Sequence, residues 1–194
     1  MSTRPGDEED AADMARLAAG HDAALDSLMG RHGERLFHYL IRLLQNEDDA
    51  GDLAQETFVR VYQNRAKFNP QARFSTWLYT IATNLARSQF RWRMRRQHVS
   101  LEAENPDTGH DFRESVSDGQ ATPSESALAE ERVELVKGAI AQLPEDLRAP
   151  LILFEYERKS QSEIAAILDC SAKAVEMRLY RARQQLKEKL GKLL

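Results

Sequence analysis

The chain of 194 residues is 42% hydrophobic and 30% charged, which allows a sizeable core together with a well-solvated surface. It has no run of about 18 apolar residues, and its acidic start lacks an apolar segment, so neither a spanning helix nor a signal peptide is expected. Its single cysteine, Cys170, excludes an intramolecular disulfide. Together these features predict a cytoplasmic protein without direct membrane insertion.

The net charge of -4 conceals a strong segregation of charge along the chain. The first residues and the stretch 47–56 are acidic, 87–96 is basic, 102–131 is acidic apart from Arg113, and the last helix is basic again. A surface that is merely solvated usually mixes the two signs. Two basic segments in an acidic protein therefore indicate two separate contacts with nucleic acid.

The first half of the chain predicts a set of consecutive helices. Residues 1–22 form an acidic N-terminal extension in which a short helix is expected over 14–19. Apolar side chains that recur every three or four positions predict a helix over 24–44. A further helix covers 49–64, with acids in its first turn, where the helix dipole favours them. A long helix runs over 74–96.

Residues 99–130 interrupt this pattern. They lack periodicity, contain few large apolar side chains and include Asn-Pro and Thr-Pro-Ser turn signals, which predict a mobile acidic linker. The linker separates two all-helical domains, 23–98 and 131–194. The second domain opens with a helix over 133–143, and Pro150 lies inside the following helix, which it is expected to bend.

The segment 160–190 predicts two helices joined by a tight turn. Ser160 and Glu163 have the spacing of a capping box, Asp169 tolerates a left-handed backbone, and Ser171 can cap the second helix. A short helix, a short turn and a basic second helix are typical of a DNA-binding helix-turn-helix. An ordinary helical hairpin with a solvated basic face remains the alternative.

The segment 68–96 interleaves aromatic and arginine side chains. Proteins that hold single strands combine aromatic surfaces for unstacked bases with cations for the backbone, so this segment suits melted DNA. The basic helix near the C-terminus instead suits the major groove of duplex DNA. The alternative is that the aromatic residues belong to the core, and this is the interpretation favoured for Trp77 and Leu78.

Catalytic and cofactor motifs are not found in the sequence. The five histidines have no ligand spacing with Cys170, and there is neither a GxxxxGK[ST] nor a GxGxxG motif. No metal, no cofactor and no enzymatic activity are therefore predicted. Cys170 falls in the turn between two helices, where a packing role is favoured over a redox role.

Three stretches together resemble the extracytoplasmic-function (group IV) sigma factors, small promoter-specificity subunits of bacterial RNA polymerase. These are DAGDLAQETFVRVYQN (49–64), FSTWLYTIATNLARSQFRWRMRR (74–96) and the stretch from LPEDLRAPLILF to RARQQL (143–186). The resemblance implies two small helical domains that bind core polymerase, read a two-part promoter and help to melt it. It also implies a stress-response role and control by an anti-sigma factor.

The resemblance assigns roles to three sets of residues. Core polymerase, with its β and β′ subunits, is the implied partner, and contacts with the β′ subunit would involve Asp49, Asp52, Gln55 and Glu56. Contacts with the melted -10 element would involve Asn69, Arg73, Phe74, Asn84, Arg87 and Arg91. Contacts with the -35 duplex would involve Lys173, Glu176, Met177, Arg178, Tyr180 and Arg181.

Some of these positions depart from the pattern common in the family. Relatives often carry Arg at the position of Thr80 and Asp or Asn at the position of Ser88. These two departures bear on the base preference at the -10 element. Relatives frequently carry Lys or Arg at the position of Glu176 and a small hydroxyl residue at the position of Met177. Glu176 repels phosphate but can accept from cytosine N4, and Met177 offers an apolar contact, so an unusual -35 sequence is expected.

Two other hypotheses remain open at the level of sequence. A stand-alone helix-turn-helix regulator that binds duplex DNA as a dimer would explain 160–190, but neither the acidic helix 49–64 nor the segment 68–96. The second hypothesis is an adaptor that binds proteins through its acidic helix and linker. Binding to core polymerase separates the sigma-factor hypothesis from both.

Overall fold

The computed structural model describes residues 6–100 and 123–191, with side chains over 6–96 and 131–191. Across these ranges every regular element is a helix, which confirms the predicted all-α fold. In chain order the elements are α1 (Asp7–Ala18), α2 (Ala23–Leu44), α3 (Glu47–Gln63), a 3-10 turn (Arg65–Lys67), α4 (Phe74–Ser100), α5 (Pro123–Ala141), α6 (Glu145–Glu155), α7 (Gln161–Leu168) and α8 (Ala172–Leu190).

Helices α1 to α4 form the N-terminal helical unit. The long helices α2 and α4 and the acidic helix α3 bury the apolar faces that the sequence periodicity predicted. The buried side chains include Leu28, Leu36, Tyr39, Leu40, Leu43, Phe58, Val61 and Leu78. The Tyr39 hydroxyl lies 2.8 Å from Oγ1 of Thr83, so these two buried hydroxyl groups pair with each other.

Helix α1 is longer than the sequence predicted. It begins at Asp7 instead of near residue 14, and it packs on α2, so the stretch 1–22 contains a folded part of the N-terminal unit. Its apolar contribution comes from Met14 and Leu17, which are fully buried. Two apolar residues are a weak periodic signal, which explains why the full length of α1 was not predicted.

Ion pairs explain why the acidic part of α1 is ordered. Nε of Arg31 lies 2.9 Å from Oδ1 of Asp10, and Nη2 of Arg31 lies 2.6 Å from Oδ2 of Asp13. Nε2 of His32 lies 2.8 Å from the other Asp10 oxygen. Burial raises the pKa of the Asp10 carboxyl, but the hydrogen bonds and charges of His32 and Arg31 outweigh burial and hold that pKa below its usual value.

The predicted linker 99–130 is shorter at both ends than its composition suggested. Helix α4 extends to Ser100, and α5 begins at Pro123, inside the stretch predicted to be irregular. Proline is favoured in the first turn of a helix, and the Ala, Leu and Glu residues that follow are strong helix formers. The Thr-Pro-Ser signal therefore marks a helix start. Residues 101–122 lie outside the described ranges.

Helices α5 to α8 form the C-terminal helical unit. Its core is built from α6, α7 and α8, and Pro150 lies within α6 as predicted. The buried side chains include Leu147, Leu151, Ile152, Ile164, Ile167, Leu168, Val175, Leu179 and Ala182. The two units are also in contact with each other, through α4 against α7 and α2 against α6.

Candidate polymerase and nucleic-acid interfaces

The turn between α7 and α8 has the local chemistry that the sequence predicted. Ser160 accepts from the N–H of Glu163, and the Glu163 carboxylate accepts from the N–H of Ser160 at 2.8 Å, which completes a capping box. Asp169 ends α7 with a φ of 50°, in the left-handed region. Ser171 begins α8 by accepting from the N–H of Ala174 at 3.1 Å. The predicted helix-turn-helix is therefore confirmed.

Removing the first of these caps has a predictable cost. Ser160→Ala is expected to lower the free energy of unfolding of the C-terminal unit by about 1 kcal/mol, because the N–H of Glu163 at the start of α7 loses its acceptor, the Ser160 hydroxyl. The measurement is urea denaturation followed by helical circular dichroism. Gln161→Ala, at the next position of the same helix, is the control and is expected to stay within about 0.5 kcal/mol of wild type. Equal stability of both variants would contradict the capping role.

All six side chains predicted to contact the -35 duplex lie on α8. Val175, Leu179 and Ala182 hold one side of α8 against the core. Of the six, five are exposed and Arg178 is half-buried; the exposed ones are Lys173, Glu176, Met177, Tyr180 and Arg181. Tyr180 exposes 59% of its surface and Met177 exposes 40%, which is unusual for side chains of this size.

Two contacts modify this surface. Nζ of Lys173 lies 2.9 Å from a carboxylate oxygen of Glu176, so a cation and an acid neutralise each other in the first part of α8. Nη1 of Arg178 lies 3.6 Å from Sγ of Cys170, which places the half-buried cysteine beside a candidate DNA contact. Both contacts are within the C-terminal unit.

The residues predicted to contact the -10 element fall into three structural groups. Asn69, Asn84 and Arg91 are exposed on the loop before α4 and on α4 itself. Arg73 and Arg87 are half-buried. Phe74 differs from all the others, because it is only 2% exposed and lies in the core.

Phe74 belongs to an aromatic cluster at the start of α4. Its ring centroid lies 5.1 Å from that of His32, 6.2 Å from that of Phe68 and 6.3 Å from that of Trp77. Such tilted and edge-on pairs stabilise a core beyond simple burial. Phe74 therefore supports the loop 69–73 from the core side. Leu78 is fully buried and Trp77 packs partly on the core, in agreement with their predicted positions.

A groove between α3 and α4 was not predicted from the sequence. It has a volume of about 310 Å³ and an apolar floor that includes Trp77. Its polar rim combines Asn84 and Ser88 of α4 with Arg60 and Asn64 at the end of α3 and just beyond it. Because these residues come from separate helices, only their packing brings them together.

The residues predicted to bind core polymerase lie on α3, but they are not equivalent. Asp49 is half-buried and faces α4, where Oδ1 accepts from Nε2 of Gln89 at 3.1 Å and the carboxylate pairs with Arg93. Asp52 and Gln55 are exposed, and Glu56 pairs with Arg60 one turn later at 2.7 Å. Positions 52, 55 and 56 share one helix face.

A buried polar cluster lies between the two helical units. The Glu157 side chain is on the segment between α6 and α7, and its carboxylate accepts from the Tyr79 hydroxyl and lies 3.5 Å from Nη2 of Arg35. Burial and the charge of Glu157 raise the pKa of Tyr79, so its hydroxyl keeps the proton that it donates. No local sequence signal singled out Glu157.

Neither a metal site nor a spanning helix is found in the described part of the chain. Among residues 6–96 and 131–191, no three His, Cys, Asp or Glu side chains are grouped so that they could hold a metal ion. Over the same described residues, none of the helices has the length and apolar character needed to cross a membrane.

Comparison with family models gives two matches that follow the two helical units. Residues 28–96 match sigma-70 region 2, and residues 134–186 match sigma-70 region 4. The RNA polymerase sigma-H factor of Pseudomonas aeruginosa is 32% identical over 191 residues, which cover 96% of each chain. The ECF RNA polymerase sigma-E factor of Haemophilus influenzae is 32% identical over 189 residues, which cover 95% of this chain and 97% of that protein.

Solved structures show the same likeness in three dimensions. The structure of CnrH in complex with the cytosolic domain of CnrY is similar over 94% of this chain and 97% of that chain, with a TM-score of 0.67 and 28% identity. The sigma factor RpoE of Bartonella quintana, in complex with the anti-sigma factor NepR, gives a TM-score of 0.66 and 28% identity, covering 86% of this chain and 96% of that chain.

The two matched regions coincide with the N-terminal unit that carries the acidic helix α3 and with the C-terminal unit that carries the helix-turn-helix. Members of this family are transcription initiation factors, which bind core RNA polymerase and promoter DNA and are not enzymes. Since two relatives above 30% identity align over almost its whole length, this chain belongs to the family of extracytoplasmic-function (ECF) RNA polymerase sigma factors.

Proposed function

We propose that this chain, as a group IV sigma factor, directs core RNA polymerase to promoters that have a -35 and a -10 element. The exposed surface of α8 carries this proposal, because it places cations and a tyrosine on a helix whose other side is locked into the core. A helix held in this way can enter the major groove. The N-terminal domain, 23–98 together with α1, and the C-terminal domain, 131–194, then act at separate promoter elements.

At the -35 element, α8 supplies the contacts with the duplex. Lys173 and Arg178 are suited to phosphates, and Arg181 is suited to a guanine edge, which offers two acceptors to a guanidinium. Glu176 is paired with Lys173 in the free chain, so binding to DNA separates or re-orients this pair. Met177 is exposed and offers an apolar contact to a thymine methyl.

At the -10 element, α4 and the preceding loop hold the melted strand. Asn69 and Asn84 are exposed hydrogen-bonding groups, and Arg73, Arg87 and Arg91 supply positive charge. Phe74 shapes the loop from within the core, so its role is to position the loop and not to contact the base. The groove that Trp77 lines is next to this surface and can extend the path of the strand.

Core polymerase binds the acidic face of α3. Asp52, Gln55 and Glu56 form this face, and a basic surface of the β′ subunit is its proposed partner. Asp49 instead ties α3 to α4 through Gln89 and Arg93, so it supports the orientation of the face. Electrostatic complementarity of this kind favours both rapid association and the correct register.

An anti-sigma factor is the proposed regulator, and the cytoplasm is the proposed location. The support for the regulator is the likeness to the Bartonella quintana RpoE, which was solved with the anti-sigma factor NepR. The location follows from the proposed function, because a sigma factor acts together with RNA polymerase in the cytoplasm. A stress-response role is in keeping with the ECF sigma-E relatives.

The decisive experiment is reconstitution with core RNA polymerase and a pool of genomic promoter fragments. The expected result is a set of defined transcripts whose upstream sequences share two elements, absent from reactions with core polymerase alone. A chain that binds duplex DNA but starts no transcript above the core background would instead be a stand-alone regulator, and the proposed function would be wrong.

Arg181→Ala is expected to weaken binding to the -35 duplex by about 1–3 kcal/mol, because a base contact is lost. Arg183→Ala is the matched control, since Arg183 is also an exposed arginine of α8 but pairs with Glu155 of α6 at 2.9 Å. The measurement is fluorescence anisotropy with a labelled duplex at constant salt, because phosphate contacts depend on salt. Equal affinity of the two variants would rule out base recognition by Arg181.

A further inference from the structure

Glu176 is the one acid in the first part of α8. Residues 172–183 carry four cations and this single carboxylate. Its side chain is 53% exposed and lies outside the row that packs on the core. Recognition helices contact base edges chiefly with their N-terminal residues. Glu176 follows the cap at Ser171 by little more than one turn, so it lies where contacts with bases are expected.

Folding stability does not account for this acid. Oε2 of Glu176 lies 2.9 Å from Nζ of Lys173, whose side chain is 72% exposed. A pair as exposed as this contributes little to stability, because water and salt screen it. Lys173 also lies in the first turn of α8, where the helix dipole disfavours a cation. The position of the pair therefore has to be explained by something other than the fold.

General affinity for DNA does not account for the acid either. Proteins bind the phosphate backbone through lysine and arginine. A carboxylate on the same surface repels phosphates, and its ion pair withdraws Lys173 from them. A helix that only had to hold duplex DNA would bind more tightly with a neutral residue at position 176. The acid is favourable for binding only if it gains a contact with a base.

Base edges in the major groove differ in what they offer to a carboxylate. Guanine N7 and O6 and thymine O4 are acceptors and repel it, whereas cytosine N4 and adenine N6 are donors. Adenine N6 lies between two acceptors, its own N7 and O4 of the paired thymine. Cytosine N4 has an acceptor on one side alone, O6 of the paired guanine. Cytosine is therefore the base that best fits a carboxylate.

The neighbours of Glu176 favour a contact with a base. Met177, which follows it, is 40% exposed, and Tyr180, one turn later, is 59% exposed. Large side chains beside a polar contact exclude water, and a hydrogen bond is stronger where water is excluded. Lys173 lies one turn before Glu176, so a cation stays near the carboxylate and reduces the cost of taking its charge out of water.

We propose that Glu176 makes the -35 reader specific for one cytosine. Its carboxylate accepts from cytosine N4 and repels guanine and thymine at the same position, while Lys173 turns to a phosphate. The acid thus lowers the affinity for DNA in general and raises the preference for one sequence, because specificity also comes from repelling the wrong partner. This inference rests on the proposed function, since it takes α8 to be the -35 reader.

The test is a selection from a pool of random DNA duplexes, run with the full chain and with the holoenzyme reconstituted with core polymerase. Wild type is expected to enrich an element in which one position prefers cytosine by about fivefold or more. Glu176→Ala is expected to lose the preference at this position and to keep the rest of the element. Glu176→Gln is expected to shift the position to adenine, because an amide pairs with adenine N6 and N7.

Glu188→Ala is the matched control, because Glu188 is another exposed acid of α8 that lies about 18 Å further along the helix axis. This variant is expected to enrich the wild-type element. A cytosine preference that survives Glu176→Ala, a wild-type element without such a position, or a pool in which nothing is enriched would each overturn the inference. Failure of the proposed function is seen separately, in a reconstitution that starts no transcripts whatever duplex the full chain selects.

A second readout tests the repulsive role of Glu176. Glu176→Ala is expected to bind a duplex of scrambled sequence about threefold more tightly than wild type, with a dependence of log affinity on log salt that is steeper by about one. The reason is that the released Lys173 neutralises one more phosphate. The double variant Lys173→Ala with Glu176→Ala is expected to lose this gain. Unchanged or weaker binding of the scrambled duplex by Glu176→Ala would overturn the repulsive role.

Discussion

Reversing the charges of Asp52 and Glu56 together is expected to weaken binding to core RNA polymerase by about 100-fold or more. Both residues lie on the outward face of α3, one turn apart. Lysine at both positions places positive charge opposite the proposed basic surface of β′. Juxtaposed like charges at an interface cost several kcal/mol, and about 1.4 kcal/mol corresponds to a factor of ten in affinity.

The matched control reverses two exposed acids of the same unit that lie away from this face, Asp26→Lys with Glu34→Lys on α2. Binding is measured by fluorescence anisotropy of labelled sigma factor titrated with core polymerase, and circular dichroism verifies the fold. In the double reversal on α3, lysine at position 56 faces Arg60, a like-charge pair that costs only a few tenths of a kcal/mol. Undiminished core binding by this folded variant would refute α3 as the docking helix.

Phe74→Ala is expected to lower the free energy of unfolding of the N-terminal unit by about 3–5 kcal/mol, because it leaves a cavity within the aromatic cluster. Phe74→Leu retains much of the volume and is expected to cost clearly less. Urea denaturation followed by tryptophan fluorescence is the measurement, since both tryptophans of the chain, Trp77 and Trp92, lie in this unit.

The same pair of variants distinguishes a positioning role for Phe74 from direct contact with DNA. If Phe74 only supports the loop 69–73, Phe74→Leu retains most of its affinity for a -10 oligonucleotide at temperatures where it is folded. A Phe74→Ala variant that unfolds like wild type but loses DNA binding would show instead that the ring moves out of the core to contact a base.

The helix-turn-helix shows how local chemistry positions a binding surface. The capping box at Ser160, the left-handed Asp169 and the cap at Ser171 together set where α7 ends and α8 begins. The buried row of Val175, Leu179 and Ala182 then determines which side of α8 faces solvent. The exposed side carries the -35 residues, so their orientation follows from the caps and the apolar spacing.

The -10 surface depends on longer-range packing. The family resemblance assigned both Asn84 and Arg87 of α4 to the melted -10 strand. Their present environments differ, since Asn84 lines an open groove and Arg87 is engaged by α6 and the end of α7. The sequence pattern places a residue on a helix face, but it does not say which neighbour covers that face.

The features that the sequence determined by itself are those encoded within a few residues. Helix periodicity, the caps at Ser160 and Ser171 and the left-handed turn at Asp169 are set by nearest neighbours along the chain, so they could be predicted without a structure. The start of α5 was misjudged because a proline can end one segment or begin a helix, and the residues after Pro123 decide between the two.

Only the tertiary structure decided which charges meet. Arg73 and Glu163 are 90 residues apart in the sequence, and Tyr79 and Glu157 are 78 apart. Arg31 of α2 forms ion pairs with Asp10 and Asp13 of α1, and these pairs hold α1 against α2. A charged side chain has many partners of opposite sign available along a chain. Its choice among them depends on how whole helices dock, which is governed by the shapes of buried faces and is not contained in any local pattern.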